Sequence, residues 1–230
     1  MRNTVKYLIF LIIYLACGGN LQAQNYTFRN VVMSDGLSGL LVNTIYKDSE
    51  GFVWLGTDNC LDRFDGVKVR HFEFRGIESG RKKRVNSVTE TASKQLWVGN
   101  GIGLWRLNRT NSQLERIVPE KIDFAVNTLL ANEDVLYIGT EKGLFIHKDG
   151  QLLQVLTDRN MLAACNRIMD ICLNEDKTVL WLATVQGLFS YSLKDGKIDS
   201  WHFQENVPEA DYFRCLTRIG ETLYLGTMSQ

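Results

Sequence analysis

The chain has 230 residues with 26 basic and 26 acidic side chains, so its formal net charge is zero and no overall field draws it to DNA, RNA or anionic lipid. Hydrophobic residues make up 45% of it and the two prolines, Pro119 and Pro208, stand far apart, which excludes a disordered tail or a low-complexity arm. No nucleic acid partner is expected.

The first element is a targeting segment. Arg2 and Lys6 precede an apolar run from Tyr7 to Ala16, and Leu21-Gln22-Ala23 offers a small residue for cleavage, so residues 1–23 read as a signal peptide and the mature chain as exported. The run is shorter than the roughly twenty apolar residues of a membrane helix, which makes a permanent anchor the lesser reading. Leu15-Ala16-Cys17-Gly18 is similar to a bacterial lipobox, with Tyr14 where an aliphatic residue is wanted, and lipid attachment at Cys17 is a minor alternative.

Beyond the leader the chain repeats. Asn43 to Asp48 reads as a strand, Ser49-Glu50-Gly51 as a turn, Phe52 to Thr57 as a second strand, Leu61 to Phe64 as a third and Val67 to Phe74 as a fourth. The second module has Val85 to Val88, the Trp97 strand, Gly103 to Leu107 and Leu114 to Val118; the third has Val126 to Leu129, the Tyr137 strand, Gly143 to Ile146 and Leu152 to Leu156. The fourth has Ile168 to Leu173, the Trp181 strand, Gly187 to Tyr191 and Lys197 to Phe203, and the fifth has Phe213 to Leu216 and the Tyr224 strand. Rings at 54, 97, 137, 181 and 224 stand 43, 40, 44 and 43 residues apart, a tandem period.

Each second strand carries an aromatic ring and, two residues later, Gly56, Gly99, Gly139, Ala183 or Gly226. Alternation puts ring and glycine on one face and aliphatic residues on the other. Both faces are apolar, so such a strand is covered on both sides, and the small residue leaves room for a side chain of the neighbouring sheet. Four antiparallel strands in about forty residues, stacked in this way, describe the blades of a β-propeller. The expected fold is all-β: about four and a half four-stranded blades near 36–80, 81–122, 123–163, 164–208 and 209–230, an incomplete propeller and a fragment of a longer chain.

Cys60, Cys165, Cys172 and Cys215 include no Cys-x-x-Cys pair and read as buried free thiols. His71, His147 and His202 fall at different offsets in their modules, so neither a metal site nor a cofactor is expected.

Gly36-Leu37-Ser38, Val42-Asn43-Thr44-Ile45, Asp48-Ser49-Glu50-Gly51-Phe52-Val53-Trp54-Leu55-Gly56-Thr57 and Leu61-Asp62-Arg63-Phe64-Asp65-Gly66 closely resemble the two-component regulator propeller repeat. The resemblance runs from about residue 30 to the end. It departs at Cys60, where other modules carry Gly103, Gly143 and Gly187, and at Ala183. The resemblance implies the periplasmic sensor of a Bacteroides-type hybrid two-component system, commonly answering to a glycan fragment. In such proteins an immunoglobulin-like domain, a membrane helix, a histidine kinase core and a receiver follow. The implied partners are an oligosaccharide, the remaining blades and kinase region of a longer chain, and a second copy in a homodimer. The kinase motifs themselves do not occur in this sequence.

In an antiparallel blade the turn between strands two and three shares an end with the entry to strand one. That end gathers Asp58, Asn59, Asn100, Glu141, Lys142 and Gln186, together with Asn43, Asn86 and Asn127 of the repeated Val-Asn-[Ser/Thr]. These asparagines either satisfy backbone groups at a loop-to-strand junction or hydrogen-bond sugar hydroxyls. Arg81-Lys82-Lys83-Arg84 is a solvated run or, with Arg81 and Arg84 as forks, a site for an acidic sugar. Trp105 and Trp201, outside the second strands, read as core. Catalysis is not expected. A sialidase-type Asp-box would need aspartate where Ser49 stands, and carboxylates such as Asp58, Asp62 and Glu141 would be found in any β protein of this size. A protein-interaction scaffold is the reading from another class.

Overall fold

The computed structural model describes residues 30–77, 83–117, 121–156, 167–201 and 212–227. The leader, Cys17, Arg81, Lys82, Cys165 and His202 lie outside the described residues. After a single turn of 3-10 helix (Met33–Asp35), the first blade is a meander of β1 (Val42–Lys47), β2 (Val53–Thr57), β3 (Leu61–Phe64) and β4 (Val69–Phe72). The second contains β5 (Val85–Glu90), β6 (Leu96–Asn100), β7 (Gly103–Asn108) and β8 (Gln113–Ile117). The third contains β9 (Val126–Asn132), β10 (Val135–Thr140), β11 (Gly143–Lys148) and β12 (Gln151–Gln154). The fourth contains β13 (Ile168–Leu173), β14 (Val179–Thr184), β15 (Gly187–Ser192) and β16 (Ile198–Trp201), and β17 (Phe213–Ile219) pairs with β18 (Thr222–Thr227) as the hairpin of a fifth. Every pairing is antiparallel between consecutive strands, and first strands of successive blades lie against one another.

The ring-and-glycine motif packs as its alternation requires. Trp54, Trp97 and Tyr137 are buried, and a β-carbon at Gly56 would lie 2.5 Å from Val85 Cγ1, at Gly99 2.5 Å from Val126 Cγ1, and at Gly139 2.8 Å from Ile168 Cγ2. The first residue of each inner strand thus presses into the glycine of the preceding blade, which fixes the spacing between sheets. Ala183 shares a cluster with Phe213 and Leu216 in the same arrangement. Tyr224 is 53% exposed, because its hairpin has no third strand among the described residues.

Two of the other expectations need correction. Cys215 is exposed and Cys172 only partly covered, so of the described cysteines Cys60 alone is buried. Trp105 is core at 1% exposure, but Trp201 is 47% exposed, its ring 5.6 Å from that of Trp181 and its indole N–H donated to Ser190 Oγ. The cause is position: Trp201 ends the outermost strand of its blade, where no further strand covers it among the described residues.

Candidate functional site

The end of the blades that carries the turns after β2, β6, β10 and β14 is organised by the last residue of each of those strands. Thr57, Thr140 and Thr184 are fully buried, and each donates its hydroxyl across the turn, to the carbonyls of Cys60, Gly143 and Gly187 at 2.9, 2.8 and 2.9 Å. The same oxygens accept N–H groups of Asn59, Lys142 and Gln186. The threonine of the repeat is therefore a turn clamp, and it holds the tip residues Asp58, Asn59, Glu141, Lys142 and Gln186 out in solvent.

In the second blade Asn100 takes the threonine's place and is not on the surface. It is fully buried, its Oδ1 accepting the N–H of Ile102 at 3.0 Å and the indole N–H of Trp105 at 3.1 Å. Gly143 and Gly187 open their strands at φ 110 and 136. Cys60 adopts no left-handed φ, and β3 accordingly starts one residue later than its counterparts, at Leu61.

Asn43, Asn86 and Asn127 share a feature that spacing did not reveal. In each first strand the register slips between the first residue and the third, so that these asparagines, and Met169 and Arg214 in the last two blades, are the extra residue of a β-bulge. Turned out of the ladder, Asn86 donates its side-chain N–H to Val126 O and Asn127 to Ile168 O, both at 2.9 Å: each amide ties its blade to the first residue of the next inner strand. Asn43 Nδ2 is buried without a hydrogen-bond partner.

One residue on, the inner strands carry a second set of ties. Ser87 Oγ accepts Leu129 N–H, and Asp170 accepts Thr128 Oγ1–H at 3.0 Å, Leu216 N–H at 2.9 Å and its neighbour Ile171 N–H at 2.9 Å. Burial raises the Asp170 carboxyl above its ordinary range, and these three donors only partly offset that. The folded state thus holds this proton at higher pH than the unfolded chain does. Between about pH 4, where an unfolded aspartate titrates, and the raised folded value, stability falls as pH rises. Asp170→Asn is expected to flatten that fall, as read from urea midpoints across the interval; an unchanged slope would exclude the effect.

The remaining predicted residues are peripheral. Arg84 is exposed, Glu141 lies 3.6 Å from Arg167, and the Lys142 ammonium sits 4.6 Å above the Phe124 ring.

On the first blade, the register brings together a group that module offsets had separated. Asp62 on β3 pairs with His71 on β4, and Cys60 stands two residues before Asp62 on the same face. Asp62 is fully buried; its Oδ1 lies 2.7 Å from His71 Nδ1 and accepts the Cys60 thiol at 3.3 Å, while its Oδ2 accepts the N–H and hydroxyl of Ser38 at 2.8 and 2.7 Å. Burial, with the charge of Asp62 close by, pushes the Cys60 thiol up to about 12. The group opens into a pocket of about 320 Å³ that Ser38, Asn59, Glu73 and Lys83 also line. Asn59, predicted from its turn, is thus a wall of this pocket and donates to Ser38 O at 2.8 Å. A second pocket of about 310 Å³, beside His147 and Gln151, holds none of the predicted residues.

The two component regulator propeller family matches residues 36–59, which run from the Ser38 segment through β2 to this pocket. Residues 36–59 are thus similar to one two component regulator propeller repeat. Histidine kinase P4 of Formosa agariphila is 36% identical over 66 residues, which are 29% of this chain and 5% of that protein. Among solved structures, the extracellular domain of BT4673 from B. thetaiotaomicron, assigned to a hybrid two component system, superimposes with a TM-score of 0.66 at 23% identity, covering 81% of this chain and 26% of that one. That of BT3049, from the same organism and likewise assigned, gives 0.69 at 20%, covering 86% and 29%. A catalytically inactive virginiamycin B lyase from Staphylococcus aureus gives 0.66 at 14%, covering 90% and 68%. These structural likenesses show the β-propeller fold. The chain spans only a small part of the kinase and of the two extracellular domains it matches.

Proposed function

We propose that this chain is the signal-recognition propeller of a two-component regulatory system, working in the periplasm after export and answering to an oligosaccharide. The observation that carries the reading is the match of residues 36–59 to the regulator repeat, on a segment that folds as the first two strands of the first of several stacked blades. The two extracellular domains of similar fold support a place outside the cytoplasm, and among the described residues no helix is long and apolar enough to cross a membrane. In a longer chain the kinase would follow, as the similarity to a histidine kinase suggests.

The glycan part of the reading rests on chemistry. Exposed Asp58, Asn59, Glu141, Lys142 and Gln186 stand on turns clamped by buried hydroxyls, and exposed Arg84 enters β5 with its carbonyl accepting Gly101 N–H, so donors and acceptors for sugar hydroxyls and carboxylates are held by ordered backbone. Binding of the purified chain to an array of neutral and acidic oligosaccharides tests it. Saturable binding is expected, weakened about tenfold by joint Arg84→Gln and Lys142→Gln substitution if the sugar is anionic. Absence of any glycan binding would leave the scaffold reading in its place, and cleavage of the bound sugars would make the chain an enzyme.

A further inference from the structure

Cys60, Asp62 and His71 offer one sulfur, one oxygen and one nitrogen, and these three atoms lie within 4.8 Å of one another at the wall of an open pocket. We propose that they form a binding site for a thiophilic divalent metal ion, Zn²⁺ in chemical class, independent of any glycan.

Both ligand separations from Asp62 are near those of a zinc site. With Zn–S near 2.3 Å and Zn–N and Zn–O near 2.0 Å, tetrahedral ligands stand about 3.5 Å apart for sulfur and oxygen and about 3.3 Å apart for nitrogen and oxygen. The observed separations from Asp62 Oδ1 are 3.3 Å to Cys60 Sγ and 2.7 Å to His71 Nδ1, so the imidazole has to withdraw by about half an ångström. It is free to do so, because the His71 side chain is 46% exposed at the edge strand. The carboxylate cannot turn away. Ser38 holds its other oxygen with two hydrogen bonds, the outer-shell support that fixes ligand orientation in metal sites.

The charges also close. Binding of M²⁺ through Sγ, Oδ1 and Nδ1 releases the thiol proton, and any proton on Nδ1, to solvent, leaving a thiolate, a carboxylate and a neutral imidazole around a dication, with net charge zero. Mixed sulfur, nitrogen and oxygen donors favour Zn²⁺ over Mg²⁺ or Ca²⁺, which take oxygen ligands. Cys60 and His71 both line the pocket, through which water can reach the ion and complete its shell.

The test uses the full chain, stripped with chelator and titrated with Co²⁺ and then Zn²⁺. The expected result is a thiolate-to-cobalt charge-transfer band with the strong visible bands of a four-coordinate ion, at about one equivalent, displaced by Zn²⁺. Cys60→Ser should abolish the charge-transfer band, and His71→Ala should weaken binding by about tenfold or more. The half-exposed histidine ring makes the second variant a safe one for folding, so it carries the result even if Cys60→Ser misfolds. Pale six-coordinate cobalt, a charge-transfer band that survives in Cys60→Ser, or unchanged affinity in His71→Ala would each overturn the proposal.

Discussion

Asp48→Ala should lower the unfolding free energy by about 3 kcal/mol, because one buried carboxylate holds both the first hairpin and the ring beside it. Asp48 Oδ2 accepts the indole N–H of Trp54 at 2.8 Å, and Oδ1 accepts the N–H groups of Glu50 and Phe52 at 3.0 and 2.9 Å. Trp54 is 1% exposed, so its N–H has no water to turn to once the acceptor is gone. A buried donor left unsatisfied costs about 1–3 kcal/mol, and the two turn bonds to a charged acceptor add to that although water recovers part of their loss. Asp48→Asn should cost about half as much: its carbonyl can serve the turn, but its NH₂ then meets the indole N–H, donor against donor. Urea unfolding followed by tryptophan emission checks both variants, and a loss below about 1 kcal/mol for the alanine would show that the indole finds another partner.

The same aspartate shows how far the sequence was readable. Period, strand order and the ring-and-glycine face were legible because burial on two faces leaves a pattern that local chemistry alone produces. Asp48 was legible only as the end of a strand and a residue of the regulator-repeat resemblance; which side chain meets the indole is decided by the local turn and strand register. The Val-Asn-[Ser/Thr] stretches look like ordinary alternating strand; the bulge that turns Asn86 and Asn127 toward the next blade depends on pairing register, which residue types do not encode. Asn100 was placed with exposed turn residues by its position, yet a fully buried amide that anchors Trp105 is what a module lacking the turn threonine needs. Cys60 and His71 are eleven residues apart and share no offset with other modules. Only the β3–β4 register makes them neighbours.

Gly99→Val should be at least as damaging, and it tests the packing on which the stacked architecture depends. A β-carbon there would meet Val126 Cγ1 at 2.5 Å and Val126 Cβ at 3.1 Å, and the valine it strikes is β-branched, buried and seated at the start of an inner strand, so it has no rotamer to escape into. Overpacking of this kind costs about 1–3 kcal/mol for modest insertions, and a branched side chain places the result at the upper end or beyond. The informative experiment pairs Gly99→Ala with Val126→Ala. Each alone is destabilising, the first by collision and the second by a cavity, but together one methyl fills the space that the other vacates. The double variant should therefore recover at least about 1 kcal/mol relative to the sum of the single losses, read from urea midpoints at constant slope. Ala183 opposite Phe213 shows that a blade pair can settle on a different small-and-large combination, so the distance between sheets is set pair by pair. Strict additivity would mean that the two side chains do not share one space, and the glycine would then reflect a demand of its own strand.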